Sequence, residues 1–268
     1  SYAGLDLAIY DLWGKTFKKC GATLLQPSPE RSKATLPIGS SAPLSATALL
    51  GKAMGFTDFK LKVGQENDFE RLTLLRKILG PSINIRLDAN EAWTPVAACE
   101  KLKSFAHLGC SSIEQPVAGS DFEGLRYVKE NSELAIMADE SICTLSDAQE
   151  LIASNAADIW NLRLAKNGGI TGIKTIIDIA QKNSIETHLG VLVGETTLLG
   201  NASICCLGLD NFRHVEIGFS QLLLKKNPFK GSVLPLKGYV KNSIKGFGFG
   251  ASPTPHLTKL TTKETIFS

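Results

Sequence analysis

The sequence predicts a parallel (β/α)7β barrel of TIM type, and three observations carry that prediction. Short apolar runs recur at a fixed interval, each ends in a charged side chain, and helix-like stretches fall between them. Lys62, Asp88, Glu114 and Asp139 close four successive runs at spacings of 26, 26 and 25 residues. Such an interval holds one strand, a loop, a helix and a return loop, so an α/β repeat brings all four ends to one rim.

In chain order, residues 2–22 come first, with Leu5, Ala8, Ile9, Leu12 and Phe17 at helical spacing. Strands are expected near 34–39, 58–63, 83–88, 110–114, 134–139, 157–163, 185–190 and 212–217. Helices are expected near 44–54, 67–79, 94–107, 121–131, 144–154, 169–183 and 195–208. Asn67-Asp68, Thr94 before Pro95, and Thr144 or Ser146 stand where helix caps belong. Pro37 suits a strand end or a poorly paired position. The strands are nearly continuous apolar runs, as in a parallel sheet covered on both faces, and right-handed crossovers close such a series into a barrel. The leading helix, 1–22, is expected to fill the gap between the eighth strand and the first. The barrel then spans 23–218. Residues 219–268, with Lys225-Lys226 and Gly246-Phe247-Gly248-Phe249-Gly250, show no lasting period and read as a C-terminal wrap with a polar tail.

At 268 residues the chain suits one large α/β domain. A net charge of +3 without a strong basic run gives no reason to expect nucleic acid or a membrane surface. The six cysteines form no CxxC pair and no zinc-type spacing, which suits free thiols in a reducing compartment. No apolar run reaches the roughly 20 residues of a membrane-spanning helix. The start of the chain lacks a signal-peptide pattern, so a cytoplasmic protein is expected.

Three carboxylates, Asp88, Glu114 and Asp139, at consecutive strand ends would repel one another without a cation between them. Their hard oxygens suit octahedral Mg²⁺, with Mn²⁺ as the alternative ion. Any one strand-terminal acid alone is an ordinary loop residue; three in phase are not. Lys60 and Lys62 alternate with Leu61, so both face the barrel interior. Beside carboxylates and a metal, a buried lysine is tolerable and can serve as a base.

The strand-end series Lys60-Leu61-Lys62, Leu87-Asp88-Ala89-Asn90, Ile113-Glu114-Gln115-Pro116 and Ala138-Asp139-Glu140-Ser141 resembles the enolase superfamily. The opening Ala3-Gly4-Leu5-Asp6-Leu7-Ala8-Ile9-Tyr10-Asp11-Leu12-Trp13-Gly14-Lys15 and the later Lys166-Asn167-Gly168-Gly169-Ile170 add to the likeness. It is to the mandelate racemase and muconate lactonizing enzyme barrels, and within them to the o-succinylbenzoate synthase and muconate cycloisomerase branch. The likeness runs from residue 2 to about 218.

The resemblance implies that Asp88, Glu114 and Asp139 bind Mg²⁺ and that Lys62 abstracts the proton α to a substrate carboxylate. Lys60 then tunes Lys62 and stabilises charge, and Asn90 and Glu140 lie around the ligands or touch substrate. The expected outcome is a lyase of o-succinylbenzoate synthase type or a cycloisomerase. Rivals are an epimerase of the dipeptide type and an inactive barrel that binds metal or ligand. The expected partner is a small carboxylate, and related barrels often assemble into homo-oligomers.

Two departures stand out. The epimerising members carry a second lysine where this chain has Arg163, a poor base but a good carboxylate clamp or cation over an enolate, so two-base racemisation is disfavoured and one-base chemistry is expected. Lys166, three residues on, is expected to have left the rim. The family also carries an N-terminal capping domain, and this chain begins at the helix that follows it. His188 is expected to be structural or substrate-contacting. Glu216 matches an acidic position near the substrate, or is a buried acid held by Arg163 or a lysine. Glu195 reads as an anion favoured by a helix start, and Gly168-Gly169 as a weak anion-binding signal.

Overall fold

The computed structural model describes residues 2–20, 25, 29–218, 223–255 and 257. The leading helix α1 (Tyr2–Thr16) precedes β1 (Arg31–Lys33) and β2 (Leu36–Ile38). Alternation follows: α2 (Leu44–Ala53), β3 (Asp58–Lys62), α3 (Asp68–Leu79), β4 (Asn84–Asp88), α4 (Pro95–Ala106), β5 (Ser112–Glu114) and α5 (Phe122–Glu130). It continues with β6 (Ala135–Ala138), α6 (Leu145–Ser154), β7 (Ile159–Leu162), α7 (Gly169–Lys182), β8 (Glu186–Leu189), α8 (Thr197–Cys205) and β9 (His214–Val215). Strands β2 to β9 pair in chain order, all parallel, which is the expected barrel.

Local chemistry sets the helix starts. Thr94 accepts from Ala97 N with Pro95 at the first helical position, and Thr144 forms a reciprocal capping box with Asp147. Asn67 makes no capping bond. Asp68 does related work, taking the N–H groups of Gly64 and Gln65 on Oδ2 at 2.6 and 2.8 Å.

The barrel closes where β2 meets β9, through a hydrogen bond from Thr35 N to Val215 O at 2.8 Å. In a parallel ladder every second residue faces the same neighbour, so Pro37 stands where the next donor toward β9 belongs and has no N–H. The eighth-to-first seam is covered differently from the expectation. Past Gly218 the chain adds β10 (Phe229–Lys230), β11 (Tyr239–Lys241) and β12 (Ser252–Pro253). Strand β11 pairs antiparallel with β1, and Ala34 N donates to Gly238 O at 2.9 Å. A Cβ on Gly218 would lie 2.6 Å from Pro235. This segment thus runs along both edges of the seam. Residues 219–222, 256 and 258–268 of the expected wrap lie outside the described residues.

Helix α1 lies elsewhere, against α7. Asp6 Oδ2 accepts from Ile170 N at 2.7 Å, and Oδ1 accepts from Thr171 Oγ1 at 2.5 Å. Asp11 Oδ1 accepts from Phe249 N at 2.9 Å. These anchors fix the rotation of the helix. Ala3, Leu7 and Gly14 are buried, whereas Leu5, Ile9, Leu12 and Phe17, the stripe that predicted the helix, face outward. The helix ends at Thr16 rather than near residue 22, because Lys18 takes a left-handed φ of 52° and Lys19 N closes onto Gly14 O.

The Gly168-Gly169 pair serves this same contact. Both residues have positive φ, and a Cβ on Gly169 would lie 2.4 Å from Asp6 Oδ2. The anion at this helix start is therefore the protein's own Asp6.

Strand alternation sends every second side chain into the barrel, and the pairing aligns Asp58 with Asn84, Lys60 with Arg86 and Lys62 with Asp88. The lower interior is ionic. Arg86 is fully buried, 2.9 Å from Thr35 Oγ1 and 3.0 Å from Glu216 Oε1, with its Nε 3.6 Å from Asp58. Burial alone would raise the Asp58 carboxyl; Arg86 and His214 override it and hold it well below its ordinary value of 3.8. Burial pushes His188 down to about 4.

Asp6→Ala removes the cap of α7 and is expected to cost about 1–2 kcal/mol in urea unfolding. Acid is expected to weaken the fold in two stages. His188 is neutral in the fold and titrates near 6.5 when unfolded, so stability falls as pH drops from about 6.5 toward 4. The depressed carboxyls of Asp58 and Glu216 contribute fully above about pH 4.5, and their contribution is lost below it. Unfolding midpoints measured across this range in the parent and in His188→Gln check both stages, the variant having the flatter first stage.

Candidate active site

Lys60 is the centre of the barrel's upper interior. Its ammonium lies 3.1 Å from Asp88 Oδ2, 3.2 Å from Glu114 Oε2 and 3.0 Å from Glu216 Oε2, with the side chain 4% exposed. Burial would strip its proton, but the three carboxylates outweigh that and raise the ammonium above its ordinary range. Burial likewise favours protonated Glu114, yet Lys60, with His188 and Arg86 beyond it, holds that carboxyl down to about 2. Lys62, two residues on, reaches the rim. Its Nζ is 2.7 Å from Asp88 Oδ2 and donates to Asn90 Oδ1, and the side chain is 32% exposed. Asn90 in turn donates from Nδ2 to Glu140 Oε1 at 3.4 Å.

The three candidate ligands lie on adjacent strand ends, all buried. Cationic side chains stand between them. Lys60 stands between Asp88 and Glu114. Arg163 spans the next gap, its Nη2 paired with Asp139 Oδ2 and 3.6 Å from Glu114 Oε1. Cationic side chains from the second and sixth barrel strands thus occupy the spaces between carboxylates. Among the described residues no three His, Cys, Asp or Glu side chains are grouped to hold a metal ion as they stand. The donor chemistry nevertheless fits a hard divalent cation. Among the described residues Asp88 Oδ2 and Asp139 Oδ2 are buried without a well-formed hydrogen bond, and lysine or arginine lies against each.

Lys166 does not leave the rim. Residues 163–166 turn back, with Lys166 N bonded to Arg163 O, and its Nζ returns to Asp139 Oδ1 at 2.6 Å, Asp139 O at 2.5 Å and Asn161 O at 2.9 Å. Burial, aided by the Arg163 charge, pushes its pKa down to about 7. The row of carboxylates lies between Lys62 on one side and Lys166 on the other.

The remaining candidates divide by depth. His188 and Glu216 sit below the mouth: His188 is fully buried with Nε2 3.5 Å from Glu216 Oε1, and Glu216 is held by Lys60 and Arg86 rather than by Arg163. Glu195 departs from the sequence reading. It lies before α8, accepts from Leu192 N at 2.7 Å, and burial raises its carboxyl to about 7, outweighing any help from the helix.

Several contributors escaped the sequence reading. Gln115 Oε1 accepts from Asp139 N and Ser141 N, while its Nε2 donates to Val117 O and Ser141 Oγ, fixing the end of β6. Asn161 Nδ2 donates to Glu114 Oε1 at 2.8 Å. Arg86 and Asn161 lie two residues before Asp88 and Arg163, so the alternation that placed the lysine pair would have found them.

Comparison with known proteins follows the same lines. Residues 45–256 match the family described as Enolase C-terminal domain-like. A hydrophobic dipeptide epimerase of Enterococcus faecalis is 35% identical over 73% of this chain and 56% of its own length. The L-Ala-D/L-Glu epimerase of Bacillus subtilis is 31% identical over 86% of the chain and 65% of its own. Among solved structures, the Enterococcus faecalis dipeptide epimerase complexed with Mg and L-Leu-L-Tyr superposes with a TM-score of 0.86 at 31% identity. That match covers 94% of this chain and 72% of that one. A muconate lactonizing enzyme superposes at 0.87 with 25% identity, over 97% and 74%. The chain thus spans somewhat over half the length of the curated relatives it matches. Their names are those of isomerases: the epimerases kept as a rival from the sequence come first, and a chloromuconate cycloisomerase of Cupriavidus necator, of the expected cycloisomerase kind, follows at 30% identity over 72% of this chain and 54% of its own length. No helix of the described residues is long and apolar enough to cross a membrane. With a family match over most of its length and relatives at this identity, the chain belongs to the enolase superfamily, as a C-terminal barrel of the mandelate racemase and muconate lactonizing kind.

Proposed function

We propose that this barrel catalyses epimerisation at the carbon α to a carboxylate, in the manner of the dipeptide epimerases it is similar to. The observation that carries the reading is the position of Lys62. It is the amine that emerges from a buried ionic layer into the open mouth, beside Asp88, while Lys60 beneath it is committed to three carboxylates.

A carbon acid next to a carboxylate is very weakly acidic, and losing its proton places a second negative charge on the carboxylate oxygens. Asp88, Glu114 and Asp139 would hold Mg²⁺, which when bound stabilises that charge. Lys62 Nζ takes the proton at the rim, held in place by Asn90, itself tied to Glu140. Lys60 remains cationic beneath the ligands, balancing Asp88, Glu114 and Glu216. Epimerisation needs a proton donor on the opposite face, and Lys166 is the amine the fold brings to the far side of the carboxylate row. Arg163 clamps Glu114 and Asp139 with its guanidinium instead of transferring protons.

Incubation with dipeptides in D₂O is expected to place deuterium at the α-carbon of both epimers. Lys62→Met should reduce exchange by roughly 10²–10⁴-fold, and Lys166→Met should leave exchange from one epimer only. Full exchange in Lys62→Met would remove the mechanism. Titration calorimetry is expected to show Mg²⁺ binding by the parent and its loss in Asp88→Asn, Glu114→Gln and Asp139→Asn alike. Unchanged binding in all three would place the ion elsewhere.

A further inference from the structure

Two cations each span a pair of the candidate ligands. Lys60 spans Asp88 and Glu114 from below, where Glu216 also holds it, and its side chain is 4% exposed. Arg163 spans Glu114 and Asp139 through Nη2, and its side chain is 15% exposed. Displacing Lys60 would unpair a deeper acid. Among the described residues Arg163 pairs with no such acid, so it is the cation that an ion could move.

A guanidinium between two carboxylates can act on an ion in opposite ways. It can hold the ligands in place, and its loss then weakens binding. It can compete for their oxygens, and its loss then strengthens binding. The neighbouring contacts decide between these. Glu114 is oriented without Arg163, by Asn161 Nδ2 donating to Oε1 at 2.8 Å and by Lys60 Nζ donating to Oε2 at 3.2 Å. Asp139 is fixed likewise: Lys166 Nζ donates to Oδ1 at 2.6 Å, and Asp139 N donates to Gln115 Oε1 at 2.9 Å. The backbone of Arg163 is pinned independently, its N donating to Asn167 Oδ1 at 2.8 Å and its O accepting from Lys166 N and Asn167 N. The turn thus keeps its place when the side chain swings. What Arg163 adds at the two ligands is positive charge, and positive charge beside a divalent cation repels it.

We propose that Arg163 competes with the divalent ion for Glu114 and Asp139, and so sets the ion affinity of this barrel. The inference rests on Asp88, Glu114 and Asp139 being the ion's ligands, and adds the residue that limits how tightly they hold it. To take both carboxylates the ion must displace the guanidinium that spans them, so loading the ion and releasing Arg163 are one event.

Mg²⁺ titration calorimetry on the parent, Arg163→Gln and Arg163→Lys reads the sign directly. Arg163→Gln is expected to bind Mg²⁺ at least roughly tenfold more tightly than the parent, the size of the repulsion between single and double charges about 5 Å apart even at the dielectric of water. Arg163→Lys keeps the charge and should stay within about threefold of the parent. A second measurement uses the parent alone. Phenylglyoxal modification of Arg163, located by peptide mass mapping, should rise when Mg²⁺ is added, because the guanidinium leaves its carboxylates. Weaker or unchanged Mg²⁺ binding in Arg163→Gln overturns the proposal, and so does Arg163 modification that falls or holds level as the ion is added. Tightening in Arg163→Lys equal to that in Arg163→Gln also overturns it, since charge is then not the cause. Ion binding by Arg163→Gln and not by the parent upholds it. An ion signal absent from both removes the ligand assignment and the proposal with it.

Discussion

A single buried ammonium organises the upper barrel. Lys60 is shared by Asp88, Glu114 and Glu216, which come from the third, fourth and eighth barrel strands. Removing that charge would leave three carboxylates facing one another in a water-poor interior, where repulsion would protonate them or force the strands apart. Arg86 repeats the device one layer down, between Asp58 and Glu216. The two cations interlock through Glu216, so the mouth rests on an ionic column rather than on the apolar packing usual inside such barrels. That column holds the strand ends in register while leaving Lys62 unburied above it.

The fold was legible because its signals are periodic. The spacing from Lys62 to Asp139 and the alternation of Lys60 with Lys62 are properties of the chain alone, and both reappear as barrel geometry. What was not legible depends on rotation and on distant partners. The apolar residues of α1 identified a helix, but Asp6 and Asp11 decide which face turns inward, and their partners lie some hundred and sixty or more residues away. Lys166 escapes the strand count for a related reason. Counting residues past a strand end assumes that the chain continues outward, whereas the turn at 163–166 folds the side chain back onto Asp139.

The candidate site shows the same division. Asp88, Glu114, Asp139 and Lys62 follow from position along a strand, and their surroundings do not. Whether carboxylates face a common point or interleave with cations depends on side chains arriving from other strands, Arg163 above all. Glu195 is the clearest case. Its place before a helix suggests a stabilised anion, but the loop buries it, and desolvation outweighs the helix end.

The seam between β2 and β9 bears on how the barrel breathes. Elsewhere neighbouring strands share a ladder, but here Thr35 and Val215 share a hydrogen bond, and Pro37 offers no second donor. The strap formed by residues 233–241 compensates from outside, touching Ala34 on one edge and Gly218 on the other. It works as a hoop around a staved vessel. Slackening it would let the ring open along one line and admit water directly onto Arg86 and Glu216, beneath the chemistry rather than above it.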